Sequence, residues 1–263
     1  MASSCYAYVN GRFRPEAQAS VSIFDRGFLY GDGVFETMRT YGGRLFRAVE
    51  HMDRLFEGLQ ALGIESVLSP EELRAVCRSL TEMNDIADGV ARVYRTRDSI
   101  VVTVRPHELA TRNLTALVST VRIDSHLSQH KTANRLPYVL AQQQAAMEGA
   151  DEAVLLNAAG RVVEFTTSNL FVVKDGQLYT PPLSEGPLPG ITRHVVLMLA
   201  KEMGIPVNET GFGPEFLDSA DEVFATNSLI EIAPVTNWGQ PQEVTRQLQE
   251  GYQQLVAEEL GLE

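Results

Sequence analysis

The chain contains little lysine: three lysines stand against nineteen arginines in its 263 residues. Lys174 precedes an Asp-Gly pair typical of a turn, and Lys201 lies on the polar face of a predicted helix, so local structure explains both. Lys131 lies inside a motif, HKTANRLP, over residues 130–137. Arginine stays protonated and does not readily form a Schiff base, whereas a desolvated lysine can lose its proton and attack a carbonyl group. Lys131 is therefore a candidate nucleophile, and genomic bias or an ordinary surface lysine before a helix are the alternatives.

Cysteine is also scarce, since the chain has two, Cys5 and Cys77. Two cysteines are too few for a disulfide framework, and no residues have the spacing of a metal-binding set. We interpret both as free thiols in a reducing compartment, and we expect no metal. No run approaches the roughly 18 apolar residues of a transmembrane helix, and the N-terminal residues lack a charged region followed by an apolar stretch. These absences predict a soluble, cytoplasmic protein.

Positive charge is limited overall, because the formal net charge is −12 at pH 7. An acidic chain is a poor ligand for nucleic acid and for anionic membrane surfaces. We therefore expect small-molecule partners. Any anion site in this chain has to be built locally, from a few arginines and from helix N-termini.

Several common catalytic motifs are missing as well. The chain has no Walker A segment, and Gly31-Asp-Gly33 is not followed by the third glycine of a dinucleotide loop. Neither a Gly-x-Ser-x-Gly nor a His-Glu-x-x-His sequence occurs. These absences exclude the common nucleotide-binding, serine-hydrolase and zinc-protease classes.

Strand and helix signals alternate over the first hundred residues. Asn10-Gly11 and the sequence TYGG over residues 40–43 are turns between apolar runs, which predicts two hairpins. Helices are predicted over residues 47–62, where the apolar side chains share one face, and from Ser69 onwards, where serine precedes proline in the first turn. Strands are predicted over residues 92–97 and 100–104.

Residues 106–113 are polar and irregular, and we interpret them as a linker between domains. Beyond them, strands are predicted over residues 114–123, 153–157, 161–164, 170–174 and 178–180, and helices over 136–147, 191–203 and 243–259. The pattern predicts an α/β protein of two domains: an α+β domain over residues 1–105 and an α/β domain over residues 114–263.

Four elements could build one site for an anionic cofactor, and Lys131 is the first. The second is a predicted helix N-terminus, because Pro189 and Gly190 interrupt the chain directly before it. The backbone amides of Ile191 and Thr192, with the Thr192 hydroxyl, would suit a phosphate there. A plain helix start is the alternative.

Glu164 and Arg54 are the third and fourth elements. Glu164 ends a predicted strand, where it could hold a proton on a heterocyclic nitrogen or simply face solvent. Arg54 could bind a phosphate through two N–H groups. Alternatively, it pairs on the helix surface with Glu50 or Glu57, which would contribute about 0.2–0.5 kcal/mol. Spacing alone does not decide between these alternatives.

Ordered blocks extend the pattern over nearly the whole chain. They are DRG at 25–27, GDGVFE at 31–36, EHMDRL at 50–55, the Lys131 segment, EFTTSNLF at 164–171, LYTPP at 178–182, LPGITR at 188–193, DEVFATNS at 221–228 and EIAPV at 231–235. Together these blocks resemble the class IV aminotransferases, the fold-type IV pyridoxal-phosphate enzymes. That family includes branched-chain and D-amino-acid aminotransferases and aminodeoxychorismate lyase.

The resemblance implies two α/β domains with pyridoxal 5′-phosphate between them, usually in a homodimer whose partner subunit completes the substrate pocket. It implies that Lys131 forms the Schiff base with the cofactor and moves the proton between the substrate α-carbon and cofactor C4′. Glu164 would pair with the pyridinium nitrogen. The other implied cofactor-binding positions are Arg54, Arg135, Leu188, Ile191, Thr192, Asn227 and Ser228.

The chain departs from the family pattern around the substrate. The position after Asn134 is often tyrosine in the family but is Arg135 here, and the run Asn-Arg-Leu resembles some aminodeoxychorismate lyases. Residues 97–100 replace a longer glycine-rich loop of the D-amino-acid aminotransferases, which disfavours that specificity. Branched-chain enzymes place a tyrosine and an arginine two apart on a strand for the substrate carboxylate.

Here Arg92 and Tyr94 occupy such a strand in the reverse order, and residues two apart share a face. Arg92 is therefore the candidate carboxylate ligand, with a solvent-facing strand arginine as the alternative. Phe35 is a candidate wall of the substrate pocket.

The leading interpretation is a transaminase that moves an amino group between an amino acid or amine and a 2-oxo acid, which the sequence GVFETMR at 33–39 favours. The alternative is 4-amino-4-deoxychorismate lyase, which eliminates pyruvate to give 4-aminobenzoate with the same Lys131 and Glu164. Compact length and the sequence TNS at 226–228 favour that alternative. A non-catalytic relative is disfavoured by the intact lysine, glutamate and phosphate elements.

Overall fold

The computed structural model describes residues 5–109, 112–123 and 125–262. The chain divides into two compact units: Met1–Leu109, His130–Asn134 and Glu258–Glu263 form the first, and Ala110–Gln129 with Arg135–Ala257 form the second. The Lys131 segment thus groups with the first unit, although it lies inside the range 114–263. Two residues of the segment 106–113, and the first four residues of the chain, lie outside the described residues.

The first unit is built on a six-stranded antiparallel sheet with the strand order β2-β1-β6-β5-β3-β4. Its strands are β1 Tyr6–Val9, β2 Arg12–Pro15, β3 Gly33–Tyr41, β4 Arg44–Leu45, β5 Gly89–Thr96 and β6 Ile100–Pro106. Its α-helices are α1 Arg26–Tyr30, α2 Ala48–Ala61 and α3 Pro70–Met83. The predicted hairpins, strands and long helices of this region are confirmed, with borders shifted by up to three residues.

Local chemistry explains the borders of these elements. Asn10 and Gly11 take the positive φ angles, 48° and 87°, that a tight hairpin turn requires. Ser69 caps α3: its side chain accepts from the Glu72 amide, and the Glu72 carboxylate accepts from the Ser69 amide. Helix α1 was not predicted, because it is only five residues long and its signal is the Asp25 side chain, which accepts from the amide at its start.

One face of this sheet forms the core of the first unit with α2 and α3. Alternate residues of β3, β5 and β6 point into it, as the period of two in a strand dictates. The buried core residues are Tyr8, Val34, Met38, Met52, Leu55, Leu59, Ile64, Leu73, Cys77, Leu80, Ile86, Ala91, Val93, Ile100, Val102 and Val104. The residues between them on each strand therefore lie on the opposite face.

The second unit contains two sheets. One has the strand order β12-β11-β10-β13-β14, and the other has the order β7-β8-β9. The strands are β7 Ala116–Arg122, β8 Glu152–Leu156, β9 Val162–Phe165, β10 Asn169–Lys174, β11 Gln177–Thr180, β12 Val207–Glu209, β13 Glu222–Asn227 and β14 Glu231–Pro234. The α-helices are α4 Ser125–Ser128, α5 Leu136–Met147, α6 Ile191–Glu202 and α7 Glu243–Leu260.

Most of these elements confirm the predicted ones, whereas α4, β12, β13, β14 and the 3₁₀ turns were not predicted. Strands β13 and β14 are almost wholly buried, so they lack the alternation of apolar and polar residues that signals a strand. Strand β12 has only three residues, and α4 has four. Such short segments carry too little pattern to predict.

Helix α7 begins over a buried carboxylate. Glu222 is 3% exposed, and its two carboxylate oxygens accept from the backbone amides of Gln242, Val244 and Thr245 at 2.9, 3.2 and 2.9 Å. Amides in the first turn of a helix have no partner inside the helix. A strand residue from elsewhere in the chain therefore caps this helix.

Two of the three lysines and both cysteines lie in ordinary structural surroundings. Lys174 precedes the β10–β11 turn and its Nζ donates to the Ser219 hydroxyl at 2.8 Å, while Lys201 lies in the last turn of α6. Cys5 and Cys77 are free thiols, and burial raises the pKa of Cys77 to about 12. No helix within the described ranges is long and apolar enough to cross a membrane.

Candidate active site

Lys131 is held against strand β3 by backbone hydrogen bonds. The Phe35 amide donates to the Lys131 carbonyl at 2.9 Å, and the Ala133 amide donates to the Gly33 carbonyl at 2.8 Å. The Lys131 Nζ atom lies 4.7 Å from the centroid of the Phe35 ring, and the residue is half-buried. The segment therefore pairs with the start of β3, and the nucleophilic role of Lys131 stays a prediction.

Two glycines at the start of β3 make room for this pairing. Gly31 has a φ of 69°, and a Cβ at this position would lie 3.1 Å from the Asn134 Cα. At Gly33, a Cβ would lie 2.8 Å from the carbonyl oxygen of Arg95. The Gly31-Asp-Gly33 motif thus admits the lysine segment on one side and strand β5 on the other.

Arg54 belongs to a buried group with Glu36 and His51. Its Nε and Nη2 atoms donate to the two oxygens of Glu36 at 2.7 and 2.8 Å, and the Nδ1 atom of His51 lies 2.8 Å from Glu36 Oε2. Glu36 is 0% exposed. The arginine thus pairs with a carboxylate on β3, a partner that the spacing along the helix did not predict.

Charge and burial together fix the protonation of this group. Burial alone would raise the pKa of Glu36, but the charge of Arg54 and the hydrogen bond with His51 hold it far below its usual range. Burial lowers the pKa of His51, and the charges of Arg54 and Lys131 act in the same direction against Glu36. At neutral pH, Glu36 is therefore an anion, and a neutral His51 donates its Nδ1 hydrogen to it.

The sheet face next to Lys131 carries the predicted substrate residues. Phe35 stacks on Tyr94, with 5.3 Å between ring centroids and 15° between ring planes. Their backbones are paired across β3 and β5, and Thr37 is paired with Arg92 in the same register. Phe35, Tyr94 and Arg92 therefore share one face, as predicted for Arg92 and Tyr94, and Arg92 is exposed on it.

In the second unit, Glu164 is buried rather than solvent-facing, with 5% of its surface exposed. Its Oε2 atom accepts from the Leu188 amide at 3.0 Å and from the side-chain amide of Asn169 at 3.2 Å. The alternative of a solvent-facing glutamate is wrong. A buried carboxylate held by N–H donors suits the role of partner to a protonated ring nitrogen.

The N-terminus of helix α6, the predicted phosphate site, comes shortly after Leu188 in the chain. The helix begins at Ile191, Gly190 is its N-cap, and no side chain caps it. Thr192, in the first turn, is 4% exposed. An uncapped helix start of twelve residues with its dipole offers backbone N–H donors to a phosphate.

Arg135 is the N-cap residue of helix α5. The guanidinium carbon of Arg135 lies 3.6 Å from the centroid of the Tyr138 ring, and its Nη2 atom donates to the Thr166 carbonyl at 2.6 Å. The pKa of Tyr138 is raised by burial and further by the charge of Glu164. Arg135 thus adds a positive charge beside the tyrosine and glutamate, where the family often has a tyrosine.

Thr166 and Thr167, shortly after Glu164, contact Glu152 and the predicted cofactor-binding residue Asn227. Glu152, at the start of β8, is buried and accepts from the Thr166 amide at 3.1 Å and from the hydroxyls of Thr166 and Thr167. Asn227 donates to the Thr167 carbonyl at 3.2 Å and accepts from two amides of the turn that contains Ser228. Burial raises the pKa of Glu152 despite its hydroxyl donors.

The sequence did not single out three residues in the hydrogen-bonded groups around Arg54 and Glu164: Glu36, His51 and Asn169. Glu36 alternates with Val34 and Met38, so the period of two placed it toward the core and could have revealed it. His51 precedes the core residue Met52 on α2. Asn169 lies inside the motif around Glu164, but no spacing rule gives it a function.

The residues fit pyridoxal 5′-phosphate, taken unit by unit. The first unit supplies an amine at Lys131 and an oriented, half-buried guanidinium at Arg54. The second supplies a buried carboxylate at Glu164 and the uncapped N-terminus of α6. The amine matches the aldehyde of the cofactor, and the carboxylate matches its ring nitrogen. The guanidinium and the helix N-terminus match its phosphate.

Comparison with known proteins gives a consistent family. The family model for amino-transferase class IV matches residues 33–238. A Methanocaldococcus jannaschii protein named as a branched-chain-amino-acid aminotransferase is 38% identical, over 94% of this chain and 95% of its own length. A D-alanine aminotransferase of Staphylococcus aureus is 33% identical, over 95% of this chain and 97% of its own.

Solved structures agree with the sequence relatives. The branched-chain aminotransferase of Thermoproteus uzoniensis, solved with norvaline, has a TM-score of 0.90 at 30% identity and covers 99% of this chain and 96% of its own. Another branched-chain aminotransferase, solved with pyridoxamine 5′-phosphate, has a TM-score of 0.89 at 29% identity, over 96% and 94%. A Legionella pneumophila protein named as a 4-amino-4-deoxychorismate lyase has a TM-score of 0.85 at 27% identity, over 91% and 96%.

The family model covers well over half of the chain, and the relatives align along nearly its full length. The fold is that of the fold-type IV enzymes. From the ordered motifs, the lysine beside β3 and these matches, the chain belongs to the class IV aminotransferase family.

Proposed function

We propose that this chain is a pyridoxal-phosphate-dependent transaminase that moves an amino group between an amino acid and a 2-oxo acid. The observation that carries the proposal is the position of Lys131, which backbone bonds hold beside Phe35 on β3. The family match and the aminotransferase relatives support it. This chemistry requires lysine at that position, because arginine stays protonated and does not readily form a Schiff base.

The residues divide the work as follows. Bound pyridoxal phosphate supplies an electron sink for the charge left when the substrate α-carbon loses its proton. Lys131 would remove that proton and deliver it to C4′ of the cofactor. Glu164 holds a proton on the ring nitrogen. Arg54 and the amides of Ile191 and Thr192 hold the phosphate.

The substrate residues are proposed from the first unit. Arg92 binds the substrate carboxylate, because it lies exposed on the same sheet face as the aromatic pair of Phe35 and Tyr94. The aromatic pair forms an apolar wall for the side chain. The relatives named as branched-chain enzymes are consistent with an apolar substrate side chain.

We further propose a homodimer in the cytoplasm. Within ten residues, Val21, Ile23, Phe24, Phe28, Leu29 and Tyr30 are 43–78% exposed. Exposed apolar patches of this kind mark protein contacts. A second copy of the chain is the partner, as the family resemblance implies, and the free cysteines are consistent with a reducing compartment.

The lyase remains the alternative reaction. The Asn-Arg-Leu run at 134–136 and the similarity to a protein named as a 4-amino-4-deoxychorismate lyase favour it, whereas the other relatives and structures named above are aminotransferases. Both reactions use the same lysine and glutamate, so they are separated by products. The transaminase requires that an amino acid convert the bound cofactor to pyridoxamine phosphate and that a 2-oxo acid reverse the change.

The first prediction concerns the three lysines. Lys131→Ala abolishes the visible absorbance band of the bound cofactor and lowers amino transfer by at least about a thousandfold, because no other residue can replace its amine. Lys174→Ala and Lys201→Ala leave both unchanged. Absorbance spectra and a coupled donor–acceptor assay measure this. Release of pyruvate and 4-aminobenzoate from aminodeoxychorismate, with no donor able to convert the cofactor, would show the lyase instead.

The second prediction concerns the buried pair of Glu36 and Arg54. Glu36→Gln leaves Arg54 without its counter-charge and lowers the free energy of unfolding by about 3 kcal/mol. It also raises the dissociation constant of pyridoxal phosphate about tenfold, because the guanidinium loses its fixed orientation. Glu57→Gln, at an exposed position of helix α2, is the control. It changes neither the free energy of unfolding nor the dissociation constant. Equal cofactor affinity in the Glu36 and Glu57 variants would contradict the assignment.

The third prediction tests Arg92 as the carboxylate ligand. Arg92→Gln raises KM for amino acid and 2-oxo acid about tenfold or more, because a charged hydrogen bond to the carboxylate is lost. The spectrum of the bound cofactor stays as it is. Arg12→Gln, exposed on the far edge of the same sheet, leaves KM unchanged. Steady-state kinetics that show equal KM values for both variants would remove Arg92 from the site.

The fourth prediction concerns the apolar patch at residues 21–30. The purified chain has twice its single-chain mass of 29.0 kDa in light scattering. Phe24→Asp with Phe28→Asp shifts the protein toward the single-chain mass, because burying two carboxylates in an apolar contact is unfavourable. Val67→Asp, at another exposed apolar residue, is the control. A single-chain mass for the unmodified protein would refute the dimer.

A further inference from the structure

The side chain of Asn169 joins two parts of the site in the second unit. Its amide nitrogen donates to Glu164 Oε2 at 3.2 Å and to the Leu188 carbonyl at 2.9 Å. The Leu188 amide donates to the same Glu164 oxygen at 3.0 Å. Leu188 thus uses both of its backbone polar groups here, and the three residues form a closed hydrogen-bonded ring.

The other end of the Asn169 side chain reaches the start of helix α6. The Asn169 Oδ1 atom lies 1.9 Å from where a Cβ of Gly190 would be, which is too close for any side chain there. Gly190 has φ −68° and ψ 136°, an ordinary extended conformation that any residue adopts. Glycine at this helix N-cap is therefore required by the space that Asn169 occupies, and not by backbone geometry.

Burial leaves Asn169 little freedom to move. It is 4% exposed, it begins strand β10, and its backbone is paired with Thr226 of β13 in the middle of a sheet. This strand pairing fixes the backbone position from which the Asn169 side chain extends. The side chain in turn fixes the Glu164 carboxylate and the turn that leads into α6.

From this arrangement we propose that Asn169 is a positioning residue that sets the distance between the ring-nitrogen anchor, Glu164, and the phosphate anchor, the N-terminus of α6. The proposal rests on the cofactor and the roles given under the proposed function. A pyridine ring with a phosphate arm has a nearly fixed separation between nitrogen and phosphate. The cofactor can bind both anchors at full strength only if the protein holds Glu164 and the N-terminus of α6 at that same separation.

The first test measures cofactor affinity. The cofactor-free protein is titrated with pyridoxal 5′-phosphate in its unmodified form and as the variants Asn169→Asp, Asn169→Ser and Asn208→Ala. Asn169→Asp keeps the shape but replaces the N–H donor by an oxygen facing Glu164, so the dissociation constant rises about tenfold or more. Asn208→Ala removes a comparable side-chain amide bond, to Gln177 on β11, and leaves it unchanged.

The second test separates positioning from a structural role. Pyridoxal, which lacks the phosphate, is titrated alongside pyridoxal phosphate, and the ratio of the two dissociation constants gives the contribution of the phosphate. In the Asn169→Ser variant this ratio falls about tenfold, because ring and phosphate can no longer be held together. A merely structural role would lower the melting temperature and weaken both ligands equally, which would overturn the proposal.

The third test uses the close approach at Gly190. Gly190→Ala forces its methyl group onto Asn169 Oδ1 and therefore weakens pyridoxal phosphate binding about as much as Asn169→Ala does. In the double variant the obstructing oxygen is absent, so its loss of affinity is smaller than the product of the two single losses. The pH dependence of the bound-cofactor spectrum shifts in the single variants, because Glu164 is displaced from the ring nitrogen.

Two failures are distinguishable in these experiments. If the unmodified protein takes up no pyridoxal phosphate, the proposed function is wrong. If the unmodified protein binds it and Asn169→Asp binds it equally, or if the losses in the Gly190 and Asn169 variants simply multiply, only the positioning role is wrong.

Discussion

The pairing of residues 131–133 with strand β3 is the constraint on which the chemistry of this chain depends. The backbone bonds that join Phe35 to Lys131 and Ala133 to Gly33 place a flexible side chain at one point of a rigid sheet. Gly31 permits this pairing by its left-handed backbone and by the absence of a side chain against Asn134. The lysine is thus positioned by the sheet of the first unit and not by the helix that follows it in sequence.

Buried carboxylates fix the hydrogen-bond donors within each unit. Glu36 orients Arg54, Glu164 faces the turn before α6, and Glu152 holds residues 166–167. Each is buried, and each accepts hydrogen bonds from several donors, as the cost of burying a charge requires. An acidic chain can therefore bind an anionic cofactor, because these negative charges are used to hold the donors in place.

Much of the fold follows from local sequence. The Asn10-Gly11 turn, the Ser69 cap and the apolar stripe of α2 act within a few residues, so the corresponding elements were predicted. Strands β13 and β14 were not, because burial of both faces removes the alternation that marks a strand. In the candidate site, residue type pointed to Lys131, but spacing left it undecided whether Glu164 is buried. The sequence did not reveal contacts made in the folded chain: the Glu36–Arg54 pair spans 18 residues, and Asn169 contacts Glu164 through its side chain.

The most direct measurement is the covalent attachment point of the cofactor. The protein saturated with pyridoxal phosphate is reduced with borohydride, digested and mapped by mass spectrometry. With only three lysines in the chain, the assignment is unambiguous. We expect a phosphopyridoxyl group on the peptide that contains Lys131 and none on those with Lys174 or Lys201. An unmodified Lys131 peptide, or a label on either of the other lysines, would contradict it.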